Sequence, residues 1–369
     1  MSSPRSMPIV SIQALWDLLP SGLLRSRSRS PTPCRSGEVD YVVDRIGKSL
    51  FEHGCVCVPL TDLDTLERTG AEVVNDAYRQ AQAFFELPKA TKMRYVEDKA
   101  ARKNCFGSCY TPQGKEPAYV KGQKQRVESF SCTRSLSKHS CSHLKGAHKF
   151  HRNMFPDKEV PGMGASMDAF YEAARSQVAL PVMLALERLL GLPEHFLVGR
   201  SMETGSMNMS LLRVMYYPPD TTPAGGGGVA GGARRAQGNQ EAVGLSEHTD
   251  FEVVTVMHNE EVGLSEHTDF EVVTVMHQQE PGLWLQTPGG EWYPLPPDPS
   301  TVCVILGDMV ELWTNGWLRA TRHRVKSPPV GRSPRRSLVL FMAHDDLVEV
   351  EPINASAAQV RCLDLDCRE

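Results

Sequence analysis

No apolar run in this chain reaches the ~18 residues that a membrane-spanning helix needs. The N-terminus, MSSPRSMPIVSIQALWDLLP, also lacks the basic stretch, apolar core and small-residue cleavage site of a signal peptide. Positive charge is not in excess. Lysine and arginine total 40 against 44 aspartates and glutamates, a net charge of −4, so no global basic field calls for nucleic acid or an anionic membrane. The ten cysteines have no regular spacing and form no disulfide framework. Cys55 and Cys57 lie on one face of the strand-like run CVCVPL and read as buried, reduced thiols. These absences lead us to expect a cytoplasmic monomer without nucleic-acid or membrane partners.

At 369 residues, 41% hydrophobic and 23% charged, the chain can bury one large β domain or two smaller ones. Residues 25–36 (RSRSRSPTPCRS) have almost nothing apolar to bury and read as a disordered insertion. Val42, Ile46, Leu50 and Phe51 recur at helical spacing, CVCVPL follows as a strand, and LDTLERTGAEVVNDAYRQAQAFFELP reads as an amphipathic helix stopped by Pro88. A second helical region runs from about 163 to 192. After Leu211 the texture changes to β-branched runs broken by Gly, Pro and Asn-Gly. Helices first and strands afterwards indicate an α+β layout, with region 1–160 preceding region 161–369.

Two features interrupt the β half. Residues 221–242 form a Gly/Ala-rich stretch unable to order itself by burial. Then VGLSEHTDFEVVTVMH occurs twice, at 243–258 and 262–277, within tandem units 243–261 and 262–280. Two copies are too few for a solenoid. Their complete identity marks either a recent duplication or an artefact of gene assembly.

Each copy carries His-Thr-Asp ahead of a β-branched strand. Histidine and aspartate two apart on a strand project to one face and can take adjacent sites on one metal. His323, in TRHRV, is the candidate third ligand. Two histidines and a carboxylate on one face of an octahedron leave three positions open, which suits Fe(II) and O₂, whereas zinc favours a closed tetrahedron. By itself His-x-Asp is a weak signal.

The surrounding segments are far more specific. GLSEHTDFEVVTVMHQQEPGLWLQTPGGEWYPLPP, VCVILGDMVELWTNGWLRATRHRV and RRSLVLF resemble the isopenicillin-N-synthase-like family of Fe(II)/2-oxoglutarate dioxygenases. MPIVSI, FEHGCVCVPL, FFELPKATKM, YTPQGKE, VESF and LRVMYYPP resemble that family's N-terminal landmarks in order, so the likeness covers nearly the whole chain outside the insertions. It implies a double-stranded β-helix, or distorted jelly roll, behind a helical N-terminal region. It also implies iron held by the His-x-Asp pair and the distal histidine, 2-oxoglutarate and O₂ as cosubstrates, and ascorbate as an optional auxiliary. The far carboxylate of 2-oxoglutarate would meet an R-x-S motif, matched here by Arg335 and Ser337, with Tyr217 beside it. A guanidinium fork suits a buried carboxylate in a way that lysine does not. Met215 replaces the asparagine of the family's N-Y-Y-P, which puts that asparagine's contribution in doubt.

The resemblance also addresses the duplication, because it implies a separation in the middle fifties between the His-x-Asp histidine and the distal one. The gap to His323 falls in the middle fifties from His267 and in the middle seventies from His248. Only the second copy runs directly into the downstream segments. His267 and Asp269 are therefore the expected ligands, and His248 and Asp250 a spare pair. His258, His277 and His344 are expected to be structural, as are Gly307, Asp308, Asn315 and Gly316. Cys132, His139, Cys141, His143, His148 and His151 cluster in sequence but match no zinc spacing. The expected activity is oxidation, by hydroxylation or desaturation, of a small organic molecule. A 2-oxoglutarate-independent oxidase of the same fold and a non-catalytic binding relative remain the alternatives.

Overall fold

The computed structural model describes residues 7–19, 36–65, 67–96, 109–115, 127–135, 153–201, 210–218, 262–326, 328, 332–345 and 351–353. The Arg/Ser stretch (apart from Ser36), the Gly-rich stretch, the first repeat copy with His248, Asp250 and His258, and His139, Cys141, His143, His148 and His151 lie outside the described residues.

Seven helices and eleven strands follow in chain order among the described residues: α1 (Ser36–His53), β1 (Cys55–Pro59), α2 (Gly70–Phe85), α3 (Lys89–Lys92), β2 (Cys109–Thr111), β3 (Glu128–Cys132), α4 (Met163–Ala173), α5 (Leu180–Leu189), α6 (Phe196–Arg200), β4 (Leu211–Tyr217), β5 (Val262–His267), β6 (Val273–Gln278), β7 (Leu283–Gln286), β8 (Trp292–Pro294), β9 (Thr301–Leu306), α7 (Asp308–Trp313), β10 (His323–Lys326) and β11 (Arg335–Met342). The strands form a seven-stranded sheet in the order β1-β9-β6-β11-β4-β3-β2 and a four-stranded sheet in the order β5-β10-β7-β8. All strand pairings within both sheets are antiparallel. The α+β double-sheet architecture expected of a jelly roll is present.

Alternation sorts the side chains of the large sheet. Val56, Val58, Val214, Val273, Val275, Val302, Val304, Leu338 and Leu340 join one apolar core with α1, α2, α4 and α5. Cys55, Met215, Tyr217, Met276, Cys303, Ile305 and Val339 form a second cluster with Leu283, Leu285 and Val325 of the small sheet. The second cluster is the barrel interior.

Two helices depart from the sequence expectation. The helix expected from about Leu63 begins at Gly70, because Thr69 closes a capping box: Glu72 N donates to its Oγ1 at 3.3 Å and its own N–H donates to Glu72 Oε2 at 2.8 Å. A Cβ on Gly70 would sit 2.0 Å from the Leu60 carbonyl, so only glycine admits this close approach. The second helical region is broken into α4 and α5 by a π turn, Ala174–Ala179. Pro181 has no N–H for the carbonyl four residues earlier, and its ring would crowd that group. The released Gln177 carbonyl instead accepts the Trp16 indole N–H at 3.0 Å, which fastens the N-terminal 3₁₀ turn Gln13–Leu18 to the helix.

His277, on the helix-facing side of β6, lies 3.0 Å through Nδ1 from the Tyr78 hydroxyl, which also donates to the His277 carbonyl at 2.8 Å. Burial lowers its pKa from the ordinary histidine value. The unfolded chain therefore takes up this proton first. The neutral ring's contribution to stability is complete above about pH 6.5 and is lost as pH falls through the folded value. The melting temperature should accordingly drop between pH 7.5 and 5.5, and His277→Asn should flatten that slope; an unchanged slope would discharge His277 from the role.

Candidate metal and cosubstrate site

Strand β5 delivers His267 and strand β10 delivers His323, directly opposite each other across the small sheet. Their ring centroids are 4.0 Å apart. Asp269 follows β5, with Oδ1 at 3.8 Å from His267 Nε2 and 3.7 Å from His323 Nε2. One ligand atom from each lies within 4.8 Å of the others, and this is the one group of three or more metal-ligating side chains that meets the distance among the described residues. The three are 8%, 7% and 3% exposed, so all are almost withdrawn from water.

Supporting contacts aim these atoms. Thr274 Oγ1 donates to Asp269 Oδ2 at 2.6 Å, which leaves Oδ1 facing the imidazoles. His323 Nδ1 lies 3.0 Å from the Thr321 carbonyl. That contact calls for a proton on Nδ1 and leaves the Nε2 lone pair toward the centre, the tautomer a metal requires. The loop bearing Asp269 is clasped from behind: Asp308 N donates to the Asp269 carbonyl at 2.7 Å and Gly307 N to the Val272 carbonyl at 3.0 Å. A Cβ on Gly307 would fall 1.9 Å from the Glu271 carbonyl, which explains the glycine. Asn315, at φ 50°, and Gly316, at φ 79°, form the turn after α7.

A second polar locus faces the same interior. Arg335 and Ser337 project inward from β11, with Arg335 opposite Tyr217 and Ser337 opposite both Met215 and Gln278. Arg335 is 1% exposed, its guanidinium carbon lies 5.1 Å from the Tyr217 ring centroid, and Nη2 donates to Gln278 Oε1 at 3.2 Å. Its Nε and Nη1 are buried with no hydrogen-bond partner among the described residues. Gly282 makes room for it, because a Cβ there would stand 3.0 Å from Arg335 Nε. Arg336 turns to the other face and bonds Glu280 and Gln82. Met215 packs in the apolar interior.

A charged fork held in an apolar barrel with two donors unspent calls for an anion. Together with a His/Asp/His donor set of iron type, it fits Fe(II) and 2-oxoglutarate on the chemistry of this structure. Residues 208–344 match the 2OG-Fe(II) oxygenase superfamily, and residues 29–158 match the N-terminal region of non-haem dioxygenases in morphine synthesis.

The chain belongs to the Fe(II)/2-oxoglutarate dioxygenases.

Fe(II), 2-oxoglutarate and O₂ are the cofactor and cosubstrates of these oxidising enzymes. The chain is 28% identical over 262 residues to the 2-oxoglutarate-Fe(II) type oxidoreductase ppzD of Metarhizium rileyi, covering 70% of this chain and 63% of that protein. Gibberellin 2-beta-dioxygenase 2 of Oryza sativa is 31% identical over 188 residues, covering 51% of this chain and 46% of its own length. Those two matches thus span less than two thirds of each relative. A full-length Neurospora crassa protein, solved in complex with alpha-KG, shares the fold at TM-score 0.64 with 17% identity, over 95% of this chain and 89% of its own.

Thr274, Thr321, Gln278 and Gly282 lie inside the segments that resemble the family, but no pattern within those segments singles them out as supports of the site. Gln278 and Thr274 were within reach, since β6 alternation puts both on the face of Met276. Gly282 acts through a contact with a distant segment and Thr321 through its backbone carbonyl, so neither left a side-chain signal.

Proposed function

We propose that this dioxygenase oxidises a small organic molecule, with iron held by His267, Asp269 and His323 and with 2-oxoglutarate anchored by Arg335, Ser337 and Tyr217. The observation that carries this reading is the pairing, in one barrel interior, of the buried donor triad with a buried guanidinium whose Nε and Nη1 are unspent. When bound, the iron supplies the oxidising power for a C–H bond while 2-oxoglutarate is decarboxylated to succinate. The chain's own share is positional. Thr274 and the Thr321 carbonyl orient the ligand atoms, the Gln278 amide steadies Arg335, and the apolar walls of Met215, Met276 and Val339 keep water from the cosubstrate.

The matches at 29–158 and 208–344 support region 1–160 as the N-terminal dioxygenase part and region 161–369 as helix plus jelly roll. No helix among the described residues is long and apolar enough to cross a membrane. We read the protein as a cytoplasmic monomer without nucleic-acid or membrane partners; the net charge of −4 supports the absence of a broad basic surface for nucleic acid or anionic lipid. Purified protein reconstituted with Fe(II) should release succinate from 2-oxoglutarate, faster in the presence of its substrate. O₂ consumption independent of 2-oxoglutarate would favour the oxidase alternative, and iron binding without turnover the non-catalytic one.

A further inference from the structure

Three thiols meet on the interior side of β1 and β9. Cys57 stands directly opposite Cys303, and Cys55 stands opposite Ile305, one alternation along the same face. Cys55 Sγ lies 3.6 Å from the Tyr293 hydroxyl, which donates to the His53 carbonyl at 2.6 Å. None of the three is joined in a disulfide. Cys55 is wholly buried, and Cys57 and Cys303 are each 6% exposed. Beyond β1 the sheet continues only through a single bridge from Ile9 to Cys57 among the described residues, so this pair sits at the sheet's margin.

We infer that Cys57 and Cys303 form a peroxide-oxidisable dithiol, a modification site built on strands other than those that carry the proposed iron and cosubstrate residues. Directly opposed residues of an antiparallel pair have Cα atoms about 4.5 or 5.5 Å apart. Both spacings fall inside the roughly 4.4–6.8 Å window of a disulfide, so the bond forms with side-chain rotation and little backbone movement. Cys55 and Cys57 point the same way two residues apart on one extended strand, about 6.6 Å between Cα atoms at the usual rise, which is the poorer geometry.

Polarity divides the labour within the pair. Hydrogen bonding from Cys303, then from Cys55, holds the Cys57 thiol below its ordinary pKa against the opposing effect of burial. The same contacts with Cys55 and Cys57, reinforced by burial, raise Cys303. Cys57 is the thiol of the pair that ionises more readily. Its sulfur attacks one oxygen of hydrogen peroxide, the O–O bond breaks, and the departing hydroxide takes up the proton that Cys57 released and leaves as water, with a sulfenic acid on Cys57. The Cys303 sulfur then attacks that sulfenic sulfur, the S–S bond forms and a second water departs with the Cys303 proton. The two thiols lose two electrons and one peroxide is reduced to two waters. A thiol reductant reverses the bond.

The test uses the full-length reduced protein treated with hydrogen peroxide, then alkylated, digested without reduction and analysed by mass spectrometry. A peptide joining Cys57 to Cys303, abolished by dithiothreitol, is expected. The free thiol of Cys57 should disappear at least about tenfold faster than that of Cys132, a fully buried thiol outside the cluster whose pKa burial raises. In Cys303→Ser, a protein whose melting curve matches the parent should accumulate sulfenic acid on Cys57, trapped by dimedone. A Cys55–Cys57 linkage, sulfinic acid at Cys57 without a cross-link, or loss no faster than at Cys132 would each overturn the inference.

Discussion

His267→Ala should lower Fe(II) affinity by more than about 100-fold, beyond the 10- to 100-fold range typical of losing a supporting residue, while His248→Ala leaves it unchanged. Equilibrium dialysis with Fe(II) under anaerobic conditions reads the difference directly. Sequence and space favour the second copy independently. In sequence, only this copy stands at a middle-fifties separation from His323 and runs unbroken into the downstream strands. In space, the His267 ring meets the His323 ring at 4.0 Å, with Asp269 Oδ1 within 3.8 Å of both Nε2 atoms. The alanine variant leaves one imidazole and one carboxylate, too few to hold the ion firmly. The reverse pattern would move the site to His248 and Asp250.

Arg335→Ala should raise KM for 2-oxoglutarate by roughly 30- to several thousandfold, the equivalent of losing about 2–5 kcal/mol when one partner of a buried, hydrogen-bonded charge pair is removed. Iron content should not change, because Arg335 belongs to a different strand from any of the three ligands. Arg335→Lys should recover only part of the loss, since it restores the charge but not the fork. Succinate formation across a 2-oxoglutarate titration, with metal analysis alongside, checks both claims. If KM is unmoved, the anion is held elsewhere and the two unspent nitrogens of Arg335 need another explanation.

What the sequence revealed followed the range of the interactions concerned. The β character after Leu211 was legible because alternation is written residue by residue. The inward Met276 and the outward His277 follow from it. His-Thr-Asp was legible as a pair but not as a choice between copies, which took the distance to His323. Helix ends were less legible. The apolar spacing around Leu63 resembles that of the following helix, and only the reciprocal Thr69–Glu72 bonds set the true start. The π turn was written in Pro181, yet its outcome depended on Trp16, far earlier in the chain, being placed to claim the Gln177 carbonyl. Thr321 orients His323 through a carbonyl, which has no signature in side-chain chemistry.

The strand order has a consequence for how this molecule divides. The strands flanking the centre of the large sheet come from the first part of the chain: β1 covers β9, and β3 with β2 covers β4. A fragment beginning at residue 161 would carry every proposed ligand and still present two bare rows of backbone donors and acceptors. Such margins recruit other chains. The oxygenase half is therefore not a portable module. Expression trials, fusion junctions and limited proteolysis should treat the chain up to Cys132 as part of the barrel's own wall.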